Sequence, residues 1–220
     1  NGNSGSRIVS INGTTLLATS LTINNGSEFR STANTTTASN LALTGNLINN
    51  GILTSAINNT LTLQGTVQQN VSGTGVFKVD TLGTILSNIN NLSCSNSSLT
   101  GIVLSVGNLT IGGNATVSGS LSLAGAGPLN IGSNTLTLGT SALLPGTLAS
   151  ATGTIIHSTG GKFARWYSAT AAPTTAATTS QFPLGILVNG TVLRRDFYAF
   201  SSTAALTTGG TFAVSHTPVA

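Results

Sequence analysis

Between residues 107 and 139 the sequence GNLTIGGNATVSGSLSLAGAGPLNIGSNTLTLG repeats one phrase: aliphatic residues alternating with Thr or Ser, then Gly or Asn, then another alternation. Alternation at period 2 would put the apolar residues on both sides of a helical cylinder, so no amphipathic helix can form from it. In an extended chain the same residues fall on one face. The segment therefore predicts short strands broken by corners. It contains no charged, aromatic or histidine side chain.

Similar phrases begin at residues 21 (LTINNG), 41 (LALTGNLINNG), 61 (LTLQGTVQQN), 102 (IVLSVGNLTIGGN) and 121 (LSLAGAGPLNIGSN), with a less regular one through 76–89. The first three start twenty residues apart and the last two nineteen. A fixed period near twenty, with two or three short strands in each unit, is the pattern of a parallel β-solenoid, or β-helix. Its coils would stack Leu21, Ile23, Leu41, Leu43, Leu61, Leu63, Leu121 and Leu123 inward, leaving Thr and Ser outward in flat ladders. Asn-Gly and Gly-Gly pairs at 12–13, 25–26, 50–51 and 112–113 supply corners that tolerate positive φ. The same Asn-Gly signal also marks hairpins, so an all-antiparallel β-sandwich is the alternative fold.

Composition agrees with an all-β chain. Only 5% of the 220 residues are charged, 39% are hydrophobic and 27 are Gly. Disordered chains pair low hydrophobicity with high charge, and this chain has neither. Its net charge of +4 comes from seven Lys and Arg against three acids. Only Arg194 and Arg195 are adjacent, too sparse a set for the cationic stripe that binds nucleic acid. No apolar run is long enough to span a bilayer, so neither nucleic acid nor membrane insertion is expected. With so few charges, stability should also depend little on salt or on pH between about 5 and 9.

Residue types shift near 155. Beyond that point lie both His, the Trp, both Tyr and five of the seven Phe. The organisation read from this is an N-terminal strand for assembly at 1–20, a solenoid at 21–154 and an aromatic-rich antiparallel β cap or small sandwich at 155–220. The cap's strands are expected at 161–168, 184–188, 191–200 and 210–216, with VNGT at 188–191 closing a hairpin. Such a block would shield the last coil of a solenoid.

The phrases NTLTL, GNLTIGGNATVSG and LNIGSNTLTLG, followed by GTIIHSTGGKFARWY, FPLGILVNGTVLRRDFYAF and LTTGGTFAVSHT, resemble the large repetitive cell-surface proteins of Bacteroidota, many of them exported by type IX secretion. The resemblance implies an exported, extracellular, structural and non-enzymatic chain of adhesin or filament type. It names no ligand. The resemblance would place a sorting module at the C-terminus of a full-length chain, and none is expected within residues 1–220.

Catalysis is not expected. Polysaccharide cleavage on a β-helix needs two or three neighbouring carboxylates, or carboxylates with Ca²⁺, and the chain has Glu28, Asp80 and Asp196 on separate elements. His157 and His216 have no spacing that gathers a metal ligand set. Neither cofactor nor metal is expected, and Cys94, the single cysteine, reads as a small packing residue. The one constellation with binding chemistry is KFARWY. In a strand it places Phe163, Arg165 and Tyr167 on one side and Trp166 on the other, so Arg165, Trp166 and Tyr167 are the candidate glycan-binding residues. Alternatively, Phe163 and Tyr167 plug the end of the solenoid and Trp166 fills the cap. The leading functional expectation is a building block of a surface filament or fibre, its partner another copy of itself. The alternative is an adhesin module that binds surface polysaccharide or a host surface through the cap. Ice binding is less well supported, because Thr-x-Thr pairs do not recur on one face of every coil.

Overall fold

A computed structural model describes residues 7–32, 38–56, 58–80, 85–86, 88–112, 118–150, 152–168, 173–189, 191–200 and 210–215. Among these the chain is all-β and contains no helix. Strands β1 (Arg7–Asn12), β2 (Leu16–Ala18) and β3 (Leu21–Ile23) each enter a different sheet. Next, β4 (Ser27–Thr32), β5 (Leu41–Leu43) and β6 (Leu47–Asn49) join those sheets in the same order, each parallel to its predecessor. The next pass is β7 (Ile52–Ala56), β8 (Thr60–Leu63) and β9 (Gln69–Ser72).

The first sheet ends with β10 (Val76–Asp80), parallel to β7, and β11 (Ile85–Leu86), antiparallel to β10. A fourth sheet starts with β12 (Asn88–Ile89), which lies against β10 and takes the first sheet's place in the order. Strands β13 (Asn91–Cys94) and β14 (Ile102–Ser105) continue the second and third sheets. Two more passes follow, β15 (Leu109–Ile111), β16 (Ser120–Leu123) and β17 (Leu129–Asn130), then β18 (Thr135–Leu138), β19 (Thr147–Ser150) and β20 (Ile155–Ile156). Strands β21 (Lys162–Tyr167) and β22 (Gln181–Val188) extend the fourth and third sheets, again in parallel. Finally β23 (Thr191–Tyr198) runs antiparallel to β22, and β24 (Gly210–Val214) antiparallel to β21.

This pairing corrects the antiparallel sandwich. Asn-Gly at 12–13, 25–26 and 50–51 connects strands of different sheets, whereas only Val188–Thr191 closes the predicted hairpin, with Asn189 at φ 48°. It also corrects the pairing direction at the C-terminal end. The strands at 161–168 and 184–188 continue the parallel sheets, and antiparallel pairing there enters with β23 and β24. Aromatic composition marks the region but carries no information on strand direction. The N-terminal segment likewise joins the sheets through β1 and β2, and residues 1–6 lie outside the described ones.

The core follows from the register. One inward row in the second sheet is Leu16, Leu41, Leu61, Leu92, Leu121 and Leu148, and the next is Ala18, Leu43, Leu63, Cys94, Leu123 and Ser150. Neighbours in a row are one strand spacing apart, about 4.8 Å, and burial of each Leu contributes about 2 kcal/mol. The residues between them, Thr62, Ser93 and Ser122, align in an outward ladder. Leu21 and Ile23 do not belong to the Leu41 row. They pair with Leu47 and Asn49 in the third sheet, so the spacing of 21, 41 and 61 joins strands of two sheets. Successive partners in the Leu16 row lie 25, 20, 31, 29 and 27 residues apart. Corner length varies while register is kept, which is why no fixed twenty-residue period holds.

Asparagine has a role beyond corner conformation. Among the described non-Gly residues only Asn58 and Asn189 have positive φ. Others connect successive passes: Asn40 Oδ1 accepts from Thr60 N at 2.9 Å, Asn46 Oδ1 from Asn70 N at 2.9 Å, Asn91 Oδ1 from Ser120 N at 2.9 Å and Asn108 Oδ1 from Thr135 N at 2.8 Å. Each bond satisfies a backbone N–H where a strand begins and fixes the next pass over the last.

Cys94 occupies a Leu position of its row and is buried, and that burial pushes its thiol pKa up to about 12. Because the thiolate is the nucleophile, the native protein should be inert to a thiol reagent such as 5,5′-dithiobis(2-nitrobenzoate) and should react fully once unfolded. Rapid native labelling would contradict this packing.

Candidate functional site

The alternation of KFARWY directs Phe163, Arg165 and Tyr167 to one face of β21, and that face is the interior. Phe163 and Tyr167 belong to the core, Arg165 is 3% exposed, and Trp166 on the opposite face is half-buried. Arg165 and Tyr167 are thus buried and Trp166 half-buried, so the three do not share one exposed face, and Phe163 and Tyr167 fill the end of the core as the alternative reading of the alternation has it. Period-2 alternation separates the two faces of a strand but does not say which faces water.

In register Arg165 follows Ile111 and Leu138, so a cation ends an aliphatic row. Its Nη1 donates to Gln181 O at 2.6 Å and Thr178 O at 3.1 Å, tying the segment before β22 to β21. The guanidinium carbon lies 5.6 Å from the Tyr167 ring centroid and 5.9 Å from that of Phe182. Burial lowers the Arg165 pKa, opposed by Tyr167, and burial raises that of Tyr167, opposed by Arg165. Phe182 packs edge-on against Phe163 at 5.6 Å, and Phe212 edge-on against Tyr167 at 6.2 Å. These rings close the C-terminal end of the core.

Two clefts flank this closure and meet at Tyr167 and Pro173. The larger, about 450 Å³, is lined by Tyr167, Pro173, Phe197, Tyr198, Phe200 and Phe212, among others. The smaller, about 260 Å³, includes Arg165, Trp166, Thr147, Thr178 and Thr179. Crowding of aromatics beyond 155 was visible in the sequence, but their convergence was not, because it depends on β23 and β24 turning back beside β22 and β21.

Among the described residues the acids lie on separate strands. Glu28 is buried in β4 and accepts from Thr54 Oγ1 at 2.6 Å and from Arg30 Nε at 3.1 Å, with Lys78 Nζ 3.8 Å away. Burial pushes its carboxyl up, but the Thr54 and Arg30 hydrogen bonds and the charges of Arg30 and Lys78 outweigh that and hold it below the usual carboxylate range. A folded-state pKa below the unfolded value near 4.3 means that this group's stabilisation is present above that pH and is lost as pH falls through the folded value. Melting temperature should therefore drop below about pH 4, and Glu28→Gln should lessen that drop. An unchanged acid profile in the variant would contradict the linkage.

Asp196 pairs with Arg194 at 2.8 Å on β23, far along the chain from Glu28. His157 Nδ1 contacts Ser158 O at 2.9 Å. His216 lies outside the described residues, as does the side chain of Asp80. Among the described residues no three His, Cys, Asp or Glu gather at a possible metal site, and no helix is long and apolar enough to cross a membrane. No protein-family model, curated protein or solved structure matches the chain.

Proposed function

We propose that the protein is an extracellular, non-catalytic structural protein, a β-solenoid that assembles with copies of itself into a surface filament. The observation that carries this reading is the repeated order of the strands. Successive passes return to the same three sheet positions with most strands parallel and in register on the strand before, and the last pass, β21 and β22, continues two of the three. A stack built in this way has edges at both ends, and edge strands template further strands through their free N–H and C=O groups. Among the described residues β1, β2 and β3 have no strand on their outer side, and β24, β19 and β23 terminate the corresponding positions at the other end. Ile8, Val9 and Leu17 are 53%, 60% and 65% exposed at the first of these ends. Contact between unlike ends does not close on itself, so it propagates. A chain with only 5% charged residues opposes it little. The resemblance to repetitive Bacteroidota surface proteins supports the extracellular setting.

Electron microscopy of the wild type beside a Val9→Lys, Leu17→Lys double variant tests this. Both substituted side chains are exposed, so the variant should keep the wild-type melting temperature while forming few or no fibres. Equal fibre formation by the two would remove edge stacking as the mechanism. A wild type that stays dispersed at every concentration would overturn the proposal.

A further inference from the structure

The paired clefts at the C-terminal end bring exposed rings beside a buried cation. Tyr198, Phe200 and Phe212 are 41%, 51% and 55% exposed, although a soluble surface gains nothing from presenting three neighbouring rings. The adjoining cleft is lined by Arg165, which is almost wholly buried, and the Nε of that guanidinium makes no hydrogen bond. Nor does any acid pair with it among the described residues, where the ion pairs engage only Glu28 and Asp196. A buried cation satisfied only by carbonyls and ring faces costs free energy unless an anion completes its shell. Exposed Thr147, Thr178 and Thr179 ring the same cleft.

We propose that the two clefts form one binding site for an acidic oligosaccharide, a chain of pyranose rings bearing carboxylates. The apolar face of one ring stacks on Tyr198, Phe200 and Phe212, where a pyranose presents its axial C–H bonds to the aromatic surface. A carboxylate of the neighbouring sugar reaches the Arg165 guanidinium, the geometry in which arginine is most selective. The threonine hydroxyls are placed to bond the sugar hydroxyls. The combined size, clefts of about 450 and 260 Å³, is that of a site for a few sugar rings. The site lies on β19, β23 and β24, the strands at the C-terminal stacking end, so it is open on a dispersed chain or at a filament's free end, and binding is measured on dispersed chains.

The probes are a hexamer of galacturonic acid and, as its neutral counterpart, maltohexaose. Calorimetry measures the affinity, and the fluorescence of Trp166, the chain's single tryptophan, reports whether the ligand reaches the smaller cleft. The acidic hexamer should bind saturably with a shift in Trp166 emission, at least ten-fold more tightly than the neutral one. Tyr198→Ala with Phe200→Ala should weaken it ten-fold or more while leaving the melting temperature unchanged. Arg165→Gln should bring the two sugars to equal, weak affinity. Should that variant fail to fold, the acidic-to-neutral ratio in about 0.5 M salt gives the same information, because the preference must shrink as the charges are screened. No saturable binding of the acidic hexamer, equal affinity for both sugars in the wild type, or undiminished binding by the double alanine variant would each overturn the site.

Discussion

Replacing Leu123 by aspartate should leave the chain unable to fold, whereas the same change at the adjacent Ser122 should shift the melting temperature by only a few degrees. Leu123 is 1% exposed in its row between Cys94 and Ser150. Neither neighbour can solvate a carboxylate: one is a thiol in an apolar environment, and the Ser150 hydroxyl already donates to Gly153 O at 3.1 Å. Removal of the Leu side chain alone costs about 2–5 kcal/mol. An unpaired buried carboxylate adds several more, enough together to consume a typical total stability of about 5–15 kcal/mol. Ser122 lies in the outward ladder between Ser93 and Ala149, where water reaches it. Thermal unfolding followed by circular dichroism distinguishes the two. Wild-type melting of Leu123→Asp would mean that the Leu rows are not the core.

The second large effect is expected at Gly101. Both Gly26 and Gly101 have positive φ, 76° and 61°, so alanine is conformationally strained at either position by about 1–2 kcal/mol. They differ in surroundings. A Cβ on Gly26 meets nothing within 4 Å, while one on Gly101 would overlap Pro128 O. That carbonyl accepts the Ile102 N–H at 2.8 Å, and Gly101 O itself accepts from Gln69 N at 3.0 Å. Gly101 is thus held between the passes before and after it, and neither can retreat without breaking a bond that joins them. Gly26→Ala should cost about 1 kcal/mol. Gly101→Ala should cost about 3 kcal/mol or more, the overpacking added to the strain. Urea denaturation of both variants measures the difference, and equal costs would show that successive passes are not in close contact at this corner.

Much of the architecture could be read from residue order because parallel strands leave a direct mark on it. Leu61 and Leu63, Leu121 and Leu123 alternate with Thr or Ser, and each of these residues faces the side that alternation assigns. Partner choice was not legible. Leu21 resembles Leu41 in its local sequence, yet it pairs with Leu47, since pairing depends on corner lengths that vary from pass to pass. The burial of Arg165 was not legible for a related reason. Alternation groups Arg165 with Phe163 and Tyr167 correctly but is silent on which face is interior, and a charged residue is normally read as exposed. The inter-pass bonds of Asn40, Asn46, Asn91 and Asn108 were hidden behind the commoner role of Asn in turns. At the C-terminal end, the aromatic block and the hairpin at Asn189 were visible, but the meeting of Tyr198, Phe200 and Phe212 around one cleft required the strand order.

The most direct test of the account is sedimentation velocity of the purified chain over a range of protein concentrations, in about 0.05 M and about 1 M sodium chloride. Assembly through backbone edges and apolar side chains, with almost no ion pairs to screen, predicts species much larger than one chain that grow with concentration and are equally abundant at both salt levels. A single monomer boundary at every concentration, or large species that dissolve at the higher salt, would contradict it.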